Sequence, residues 1–271
     1  MENIFVPVLL PVEDIITETP TIKTVVMRPD PPISFRAGQF MQLTVPGVGE
    51  APFTPSSSPY EPQRMEITIL KTGMVTNAVH EMKPGDIVGL RGPFGMGYPV
   101  DKFYGKEILV VGGGVGLAPL RSLLLALFHD IDKVKRVSIK YGAKKPEELV
   151  YYKYFEEWSD LNKVDLTVTI DTPHPEWKGT VGLVTELLKN PDINREDSYV
   201  VVCGPEIMLK FVTLSLLDVH FVPQQIYLSM NRNMSCGMGI CGRCNVGPYY
   251  LCKDGPDMNY EKIKDIPNVL G

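Results

Sequence analysis

The sequence predicts a multidomain protein that joins β and α/β architecture: an N-terminal antiparallel β-barrel, a middle α/β domain with a parallel sheet, and a small C-terminal module. Three observations support this prediction. Short β-rich runs fill the first hundred residues, a repeated pattern of strand, turn and helix starts at Lys106, and a Gly- and Cys-rich segment follows residue 230. The expected domain boundaries are 1–100, 101–225 and 226–271.

The N-terminal part has the pattern of a small antiparallel barrel. Its apolar runs are short, Pro and Gly separate them, and they show little helical periodicity. Short strands joined by tight turns favour an antiparallel sheet that curves around its own core. The runs that predict strands are IFVPVLL, TIKTVVM, FMQLTV, RMEITIL and DIVGLRG.

The middle part alternates strands with helices. Its strands are predicted from EILVVGG, RVSIKYGA, VDLTVTID and SYVVVCGP. Its helices are predicted from GLAPLRSLLLALFHDI, PEELVYYKYFEEW, VTELLKN and EIMLKFVTLSLLDV. Parallel strands need a crossover connection, and a helix usually supplies it, so this alternation indicates a parallel sheet covered by helices.

Charge and hydropathy argue against several classes of partner. The net charge of −5 leaves no basic footprint for nucleic acid, whose binders concentrate Lys and Arg on one face. No run of about 18 apolar residues predicts a membrane span, and the start, MENIFVPVLLPVEDII, has no basic region before its apolar run. We therefore expect no nucleic-acid partner, no membrane insertion and no export, which predicts a cytoplasmic protein.

Four of the five cysteines crowd into seventeen residues near the C-terminus, in the pattern C-x4-C-x2-C-x7-C. They are Cys236, Cys241, Cys244 and Cys252. Thiols that stay reduced and stand this close together point to metal ligation, and the first three match the plant-type spacing for a [2Fe-2S] cluster.

The glycines of this loop support the same prediction. A loop that wraps a cluster turns its backbone N–H groups toward the sulfurs, and Gly237, Gly239 and Gly242 permit the positive φ angles that this requires. Cys252 is expected to close the site from a short hairpin. A structural zinc site with four cysteine ligands is the alternative, although zinc sites generally offer two tight cysteine pairs and this loop offers one.

Two glycine turns in the middle part predict a nucleotide crevice. The first, Gly112 to Gly116, lies between a strand and a helix, where free N–H groups and the helix dipole suit a pyrophosphate. Its spacing is not G-x-G-x-x-G, because Pro119 stands at the third glycine position, so a tight turn without a ligand stays an alternative. The second turn, Cys203 to Pro205, follows a later strand, at the end of the sheet where such folds bind ligands.

With these features together, the chain resembles the ferredoxin-NADP reductase superfamily. Within it, the chain is similar to the iron-sulfur branch, which includes hydrogenase (sulfhydrogenase) gamma subunits, the electron-transfer subunit of dihydroorotate dehydrogenase and the FAD subunit of anaerobic sulfite reductase. The matching segments, in order, are FRAGQF, EAPFTPSSSP, KTGMVTNAVHEMKPGD, RGPFG, GGGVGLAPLRS, CGPEIM and the cysteine loop.

The resemblance implies which residues bind each cofactor. FAD is expected in the barrel domain, NAD(H) or NADP(H) in the α/β domain, and one [2Fe-2S] cluster in the C-terminal module. The implied flavin residues are Pro52, Phe53 and Thr54, and the implied FAD pyrophosphate residues are Gly73, Val75 and Thr76. The implied nicotinamide residues are Gly113, Gly114, Gly116, Leu117, Ala118 and Pro119, with Cys203, Gly204 and Pro205 facing them. Thr54 and Cys203 are the implied catalytic positions.

The sequence departs from the family pattern just before the flavin segment. Many members carry an arginine there that pairs with the FAD phosphates, but this chain has Glu50 and Ala51. The hydrogenase-type members are similarly altered, which favours that branch. For Arg91 and Phe94 in RGPFG, a well-formed β-turn and a direct cofactor role both stay open.

The function that the resemblance implies is that of an NAD(P)H-linked oxidoreductase subunit, a diaphorase module that passes electrons between the nicotinamide and a redox partner through FAD and the cluster. The chain shows no substrate domain, so the catalytic redox subunit is expected on another polypeptide. That partner is expected to be hydrogenase-like, with dihydroorotate dehydrogenase-like or sulfite reductase-like subunits as alternatives. A zinc-stabilised nucleotide-binding scaffold subunit is the alternative from another functional class.

Overall fold

The computed structural model describes residues 4–270 and contains, over that range, two large sheets and a two-stranded ribbon. The predicted fold class is confirmed, because an antiparallel sheet comes first, a largely parallel sheet with flanking helices follows, and a cysteine-rich segment ends the chain. The domain boundaries stay a prediction, and their outer ends at residues 1–3 and 271 lie outside the described residues.

The N-terminal sheet has six antiparallel strands around one hydrophobic core. Its strands are β1 (Val8–Thr19), β2 (Ile22–Met27), β3 (Phe40–Val45), β4 (Gly49–Phe53), β5 (Met65–Leu70) and β6 (Ile87–Phe94), with helix α1 (Met74–Glu81) after β5. Their spatial order is β4-β3-β6-β1-β2-β5. The fully buried Val25, Leu43 and Ile67 come from three different strands and meet in the core.

The long strand β1 ties the two halves of this sheet together. Its first residues, Val8 to Pro11, pair with β6, and its remainder pairs with β2. The register shifts between Val12 and Asp14, and an irregularity of this kind bends a strand and increases its twist. The bend lets one strand serve both halves, so the sheet curves around the core as a barrel does.

The second sheet has the order β10-β9-β8-β7-β11-β12-β15, in which β15 is the antiparallel member. Its other strands are β7 (Glu107–Gly113), β8 (Arg136–Ala143), β9 (Val164–Ile170), β10 (Thr180–Val181), β11 (Ser198–Cys203) and β12 (Ile226–Ser229). The helices are α2 (Leu117–His129), α3 (Phe155–Asp160) and α4 (Glu206–Asp218). Strands β7 and β8 are buried almost throughout, as expected for parallel strands covered on both faces.

The helix predicted from PEELVYYKYFEEW forms only in its last part, as α3. Two short 3₁₀ turns precede it, and Tyr151 between them has a left-handed backbone with φ of +61°. The buried Tyr151 hydroxyl hydrogen-bonds to Thr68 of β5 at 2.6 Å, so a contact with the other sheet interrupts the helix. No helix within residues 4–270 is long and apolar enough to cross a membrane.

The C-terminal segment returns to the edge of the second sheet. It contains β13 (Asn245–Val246), β14 (Tyr249–Tyr250), α5 (Leu251–Asp254), β15 (Asp257–Asn259) and α6 (Tyr260–Ile263). Strand β15 pairs with β12, placing Asp257 opposite Ser229. Leu251 and Met258 pack in the same core cluster as Val202 of β11, so the cysteine segment is held against the α/β sheet.

Candidate functional site

The four C-terminal cysteines approach one another in two pairs. The Cys236 thiol interacts with that of Cys241, and the Cys252 thiol interacts with that of Cys244. All four are free thiols. The first three lie in the loop after β12, and Cys252 lies in α5, directly after the β13–β14 hairpin.

Backbone N–H groups of this loop point at the sulfurs. Those of Met238 and Ile240 each donate to Cys236 Sγ at 3.4 Å, and that of Gly239 donates to Cys252 Sγ at 3.0 Å. The loop glycines take the predicted left-handed backbone, with φ of +81° at Gly237, +74° at Gly239 and +74° at Gly242. The loop therefore turns its amides inward, as an anionic sulfur cluster requires.

The same amides shift the pKa of the first cysteine. Although burial opposes the shift, hydrogen bonds from the backbone of Cys241, Met238 and Ile240 lower the pKa of Cys236 to about 6. Burial, together with the neighbouring Cys244, raises the pKa of Cys252 to about 12. Metal binding requires the deprotonated form of all four thiols, and the loop amides favour that form at Cys236.

Four cysteine thiols suit either a two-iron centre or a single zinc ion. Within residues 4–270, no group of three or more His, Cys, Asp or Glu side chains converges so as to hold one metal ion. A zinc site draws four sulfurs to about 2.3 Å from one ion, whereas a [2Fe-2S] cluster takes two cysteines at each iron. Cys236 interacts with Cys241, and Cys252 interacts with both Cys244 and Cys236, so all four thiols lie in one site, as either kind of centre requires.

The residues implied in flavin binding lie on an edge strand of the barrel. Pro52 and Phe53 end β4, which pairs with β3 on one side only, and Thr54 follows them. All three side chains are half-buried, so they are available to a ligand. A planar ring placed against this edge would meet the exposed parts of these side chains, while Phe53 also packs against the barrel core.

The turn implied in pyrophosphate binding lies beside that strand. Val75 in the first turn of α1 approaches Gly49 of β4, where an added Cβ would lie 3.3 Å from its Cγ2 atom. The Thr76 hydroxyl accepts the backbone N–H groups of Thr72 at 2.9 Å and Gly73 at 2.8 Å. Thr76 thus shapes the turn, and the space beside Gly73 is open, with nothing within 4 Å of an added Cβ.

The two glycine turns of the α/β sheet touch each other. Gly112 at the end of β7 pairs with Cys203 at the end of β11. An added Cβ at Gly116 would lie 2.4 Å from the Cys203 carbonyl oxygen, whereas nothing lies within 4 Å of an added Cβ at Gly114. Helix α2 begins in this turn with Leu117, Ala118 and Pro119, and α4 follows Gly204 and Pro205. The residues of the two sequence-predicted nicotinamide turns therefore lie side by side at one end of the sheet.

A buried polar cluster surrounds Cys203, and the sequence did not predict it. Burial raises the pKa of Cys203 to about 12, with Ser229 and Asp257 as neighbours. Asp257 also lies beside Tyr98 and against Gly38, where an added Cβ would lie 2.1 Å from Oδ2. The cluster draws residues from all three parts of the chain, and none of its new members belongs to a motif with a regular spacing.

The cysteine loop lies against the barrel strands next to the flavin segment. The buried Gln42 side chain on β3 donates to the Met234 carbonyl, and the Arg91 side chain on β6 donates to the Cys236 carbonyl at 2.9 Å. Because β3 lies between β4 and β6, the strands that contact the cysteine loop lie next to the strand that carries the sequence-predicted flavin residues.

Three family models match successive parts of the chain. They are the oxidoreductase FAD-binding domain over residues 8–98, the oxidoreductase NAD-binding domain over residues 110–213, and the iron-sulfur cluster binding domain of dihydroorotate dehydrogenase B over residues 231–264. The predicted cofactors FAD, a nicotinamide dinucleotide and an iron-sulfur cluster are thereby confirmed, and the zinc alternative loses its support.

Curated relatives match most of the chain. Sulfhydrogenase 1 subunit gamma of Pyrococcus furiosus is 38% identical over 243 residues, which covers 88% of this chain and 83% of the relative. Sulfhydrogenase 2 subunit gamma of the same organism is 35% identical, covering 84% of each. A probable dihydroorotate dehydrogenase B electron transfer subunit of Methanocaldococcus jannaschii is 36% identical over 265 residues, covering 96% of this chain and 92% of the relative.

Solved structures agree with the fold. A chain of the NADH-dependent reduced ferredoxin-NADP oxidoreductase, a structure described in connection with flavin-based electron bifurcation, matches with a TM-score of 0.77 and 26% identity, covering 98% of this chain and 94% of that chain. A ferredoxin NADP+ reductase from Neisseria gonorrhoeae with bound FAD and NADP matches with a TM-score of 0.70 and 22% identity, covering 82% of this chain and 97% of that chain.

Proposed function

Because the chain belongs to the family of iron-sulfur flavoprotein subunits that includes sulfhydrogenase gamma and dihydroorotate dehydrogenase B electron transfer subunits, we propose that it moves electrons between NAD(H) or NADP(H) and a catalytic subunit on another chain. The observation that carries this proposal is the paired set of four cysteines beside the flavin-segment strands. In this arrangement a bound cluster, which exchanges single electrons, would lie next to a bound flavin, which exchanges two.

The residues proposed to hold each group follow from their positions in the fold. Pro52, Phe53 and Thr54 are proposed to line the flavin, and Gly73, Val75 and Thr76 to hold the FAD pyrophosphate. Gly113, Gly114, Gly116, Leu117, Ala118 and Pro119, facing Cys203, Gly204 and Pro205, are proposed to hold the nicotinamide end of the dinucleotide. Cys236, Cys241, Cys244 and Cys252 are proposed to ligate the cluster.

The protein contributes orientation, charge and exclusion of water. Bound FAD supplies two-electron exchange with the nicotinamide and one-electron exchange with the cluster. The close approach of Gly116 to Cys203 narrows the crevice, so a flat ring is favoured over bulkier ligands. Cys203 stays a neutral thiol, because burial raises its pKa to about 12, and it therefore places no negative charge where a hydride is transferred.

A hydrogenase-type catalytic subunit is the proposed partner. The two sulfhydrogenase gamma relatives, at 38% and 35% identity, support this choice. A dihydroorotate dehydrogenase partner is the second candidate, because that relative aligns over 96% of the chain. The cytoplasm is the proposed compartment, since the four cysteine thiols must stay reduced to bind iron.

Anaerobic reduction tests the proposal directly. The purified holoprotein should show flavin and iron-sulfur absorbance, contain about two irons per chain, and bleach at both chromophores when NADH or NADPH is added. A protein whose flavin bleaches while its cluster stays oxidised would contradict the relay. Affinity purification from the native source, with identification of the bound chains, separates a hydrogenase partner from a dihydroorotate-oxidising one.

A further inference from the structure

Arg91 joins two parts of the chain that lie 145 residues apart in sequence. From β6 of the barrel, its Nη1 donates to the Cys236 carbonyl at 2.9 Å, and its Nη2 donates to the Ser235 carbonyl at 3.1 Å. The Arg91 side chain is only 8% exposed. The backbone on either side of the first cluster cysteine is therefore held by one buried guanidinium.

Glu50 fixes the orientation of that guanidinium. Arg91 Nε lies 2.8 Å from Glu50 Oε2, and Nη2 lies 2.5 Å from Oε1, so the pair is bidentate. The Thr44 hydroxyl donates to Glu50 Oε2 at 3.0 Å. A planar guanidinium bound on one edge by a carboxylate has its remaining N–H groups aimed in fixed directions, here at the cysteine loop.

Strand β4 connects this ion pair to the flavin segment. Glu50 lies on the same five-residue strand as Pro52 and Phe53. In this chain the negative charge of Glu50 is met by Arg91. Glu50, which departs from the family pattern, is therefore paired with Arg91. Arg91 in turn contacts the cysteine loop.

Two further contacts show that the loop is docked on this face. Gln42 of β3 pairs with Pro52 on one side and with Arg91 on the other, and its side chain donates to the Met234 carbonyl. An added Cβ at Gly237 would lie 2.7 Å from the Phe94 ring, so the loop packs directly on β6. Strands β3 and β6 therefore form one docking surface for the loop, and Glu50 of β4 holds the Arg91 side chain in that surface.

We propose that Glu50 and Arg91 are positioning residues that dock the cysteine loop on the flavin-binding face of the barrel and so set the separation over which electrons pass. The inference rests on the relay function proposed above. The guanidinium also adds positive charge next to Cys236, and hydrogen bonds and charge near the sulfurs tune the potential of an iron-sulfur cluster. Weaker docking should therefore slow the flavin-to-cluster step and shift the cluster potential.

Three variants of the holoprotein test the proposal: R91Q, R91K and E50Q. R91Q removes the guanidinium with its several N–H donors, and R91K keeps the positive charge but not the planar guanidinium. E50Q removes the ion pair while Arg91 keeps its hydrogen bonds to both carbonyl groups. Hydrogen bonds to charged groups are strong enough that R91Q should lower the rate of cluster reduction by about tenfold or more, with R91K and E50Q showing smaller losses in that order. R28Q is the matched control, because the Arg28–Glu13 pair lies on the same sheet with side chains 57% and 39% exposed.

Rapid mixing with NADH separates the two steps, because flavin and cluster absorb at different wavelengths. Flavin bleaching should keep its wild-type rate within about twofold in the variants, while cluster bleaching slows. Two further measurements do not depend on activity. The midpoint potential of the cluster should shift in R91Q. Amide hydrogen exchange in the loop around Cys236 should speed up in all three variants and stay unchanged in R28Q.

The outcomes separate this inference from the relay itself. A wild-type cluster that NADH fails to reduce would overturn the relay and the inference built on it. Wild-type reduction that is normal, together with R91Q and E50Q that match wild type in cluster rate, potential and exchange, would overturn only the positioning role. If R91Q fails to fold with its cofactors, R91K and E50Q decide the question by the same three measurements.

Discussion

Arg121 and Glu66 form a buried ion pair where helix α2 meets the antiparallel sheet. Arg121 Nη1 lies 2.5 Å from Glu66 Oε2, and the two side chains are 11% and 9% exposed. The same nitrogen donates to the Ser56 carbonyl at 2.8 Å, and the guanidinium lies 4.9 Å from the Tyr151 ring centroid. The first half of α2 is thus tied to the segment that follows the proposed flavin residues.

Replacing Arg121 by methionine should destabilise the whole protein. Burial alone would raise the pKa of Glu66, but Arg121 and Arg64 hold it below its usual value. With Arg121 removed, Glu66 is left buried beside Arg64 alone, and breaking a buried pair costs about 3 kcal/mol or more. Thermal unfolding of the R121M holoprotein should start about 6–12 °C lower than in wild type.

The exposed Arg28–Glu13 pair supplies the control for that measurement. Exposed pairs contribute about 0–1 kcal/mol, so R28Q should keep the wild-type unfolding temperature to within about 3 °C. An equal decrease in unfolding temperature in R121M and R28Q would show that the contact between α2 and the antiparallel sheet does not depend on the buried Arg121–Glu66 pair.

The sequence predicted the buried strands accurately and the edge strands poorly. Strands β3, β7 and β8 coincide with the predicted runs, because each run is rich in the β-branched, aromatic and other apolar residues that favour strands. Strand β4 was missed, since Gly49–Phe53 contains Pro52 and lies at an edge. Strand β15 was missed because its three residues take strand form only by pairing with β12.

Some residues of the candidate site could likewise be predicted from the sequence, and others could not. The cysteine spacing and the glycine turns carry local signals, because a bound cluster or pyrophosphate dictates residue types at fixed separations. The Arg91–Glu50 pair and the contact of Asp257 with Gly38 carry none, since each joins segments that lie far apart in sequence. Tertiary packing alone makes these residues neighbours.

The cluster cysteines should respond differently from Cys203 to removal of the thiol. Cys244 is buried beside Cys252, so C244S should lose the iron-sulfur absorbance and about half or more of the bound iron while the flavin is retained. C203S should keep its full iron content, because Cys203 lies at the end of β11 among the proposed nicotinamide residues. Iron analysis and visible spectra of the two variants, purified together with wild type, measure the difference.

A slower NADH-dependent flavin reduction in C203S, with normal iron, would agree with its proposed position. Loss of iron in C203S, or a normal cluster in C244S, would contradict the ligand assignment.

The two glycines of the nucleotide crevice should tolerate alanine unequally. At Gly116 an added Cβ would lie 2.4 Å from the backbone carbonyl oxygen of Cys203, and a backbone atom has little freedom to move away. At Gly204 the nearest atom is the Met208 sulfur at 2.6 Å, and the flexible methionine side chain rotates aside. G116A should therefore weaken NADH binding about tenfold or more, and G204A by no more than about threefold.

Titration of each variant with NADH, monitored by flavin bleaching, gives the dissociation constants that test whether G116A loses more NADH affinity than G204A. An unchanged NADH affinity in G116A would show that the contact between the two turns does not shape the crevice.

Asp257 should make the stability of the protein depend on pH. It is buried on β15, and burial raises the pKa of its carboxyl to about 7, although the hydroxyls of Tyr98 and Ser229 lower it. Among the described residues, neither of its carboxyl oxygens completes a hydrogen bond of normal geometry. The neighbouring Cys203 has a pKa of about 12, and that of Tyr98 is raised well above 10, so both stay neutral over the range in question.

The direction in which the free energy of unfolding changes with pH follows from the number of protons that the folded and unfolded forms bind. Between the unfolded value of 3.8 and the folded value of about 7, the folded protein holds a proton that the unfolded chain has released. The free energy of unfolding therefore decreases as pH rises through this interval, by at most about 4 kcal/mol. D257N cannot ionise, so it should lack this decline and become more stable than wild type above pH 7.

Unfolding temperatures measured from pH 5 to pH 9 test the prediction. The difference between D257N and wild type should grow in favour of the variant as pH rises, and level off above about pH 8. The control D132N, at a side chain that is 98% exposed, should run parallel to wild type throughout. If D257N also runs parallel to wild type, then the carboxyl of Asp257 keeps the same protonation state in the folded and unfolded protein between pH 5 and pH 9, and the predicted pH dependence is wrong.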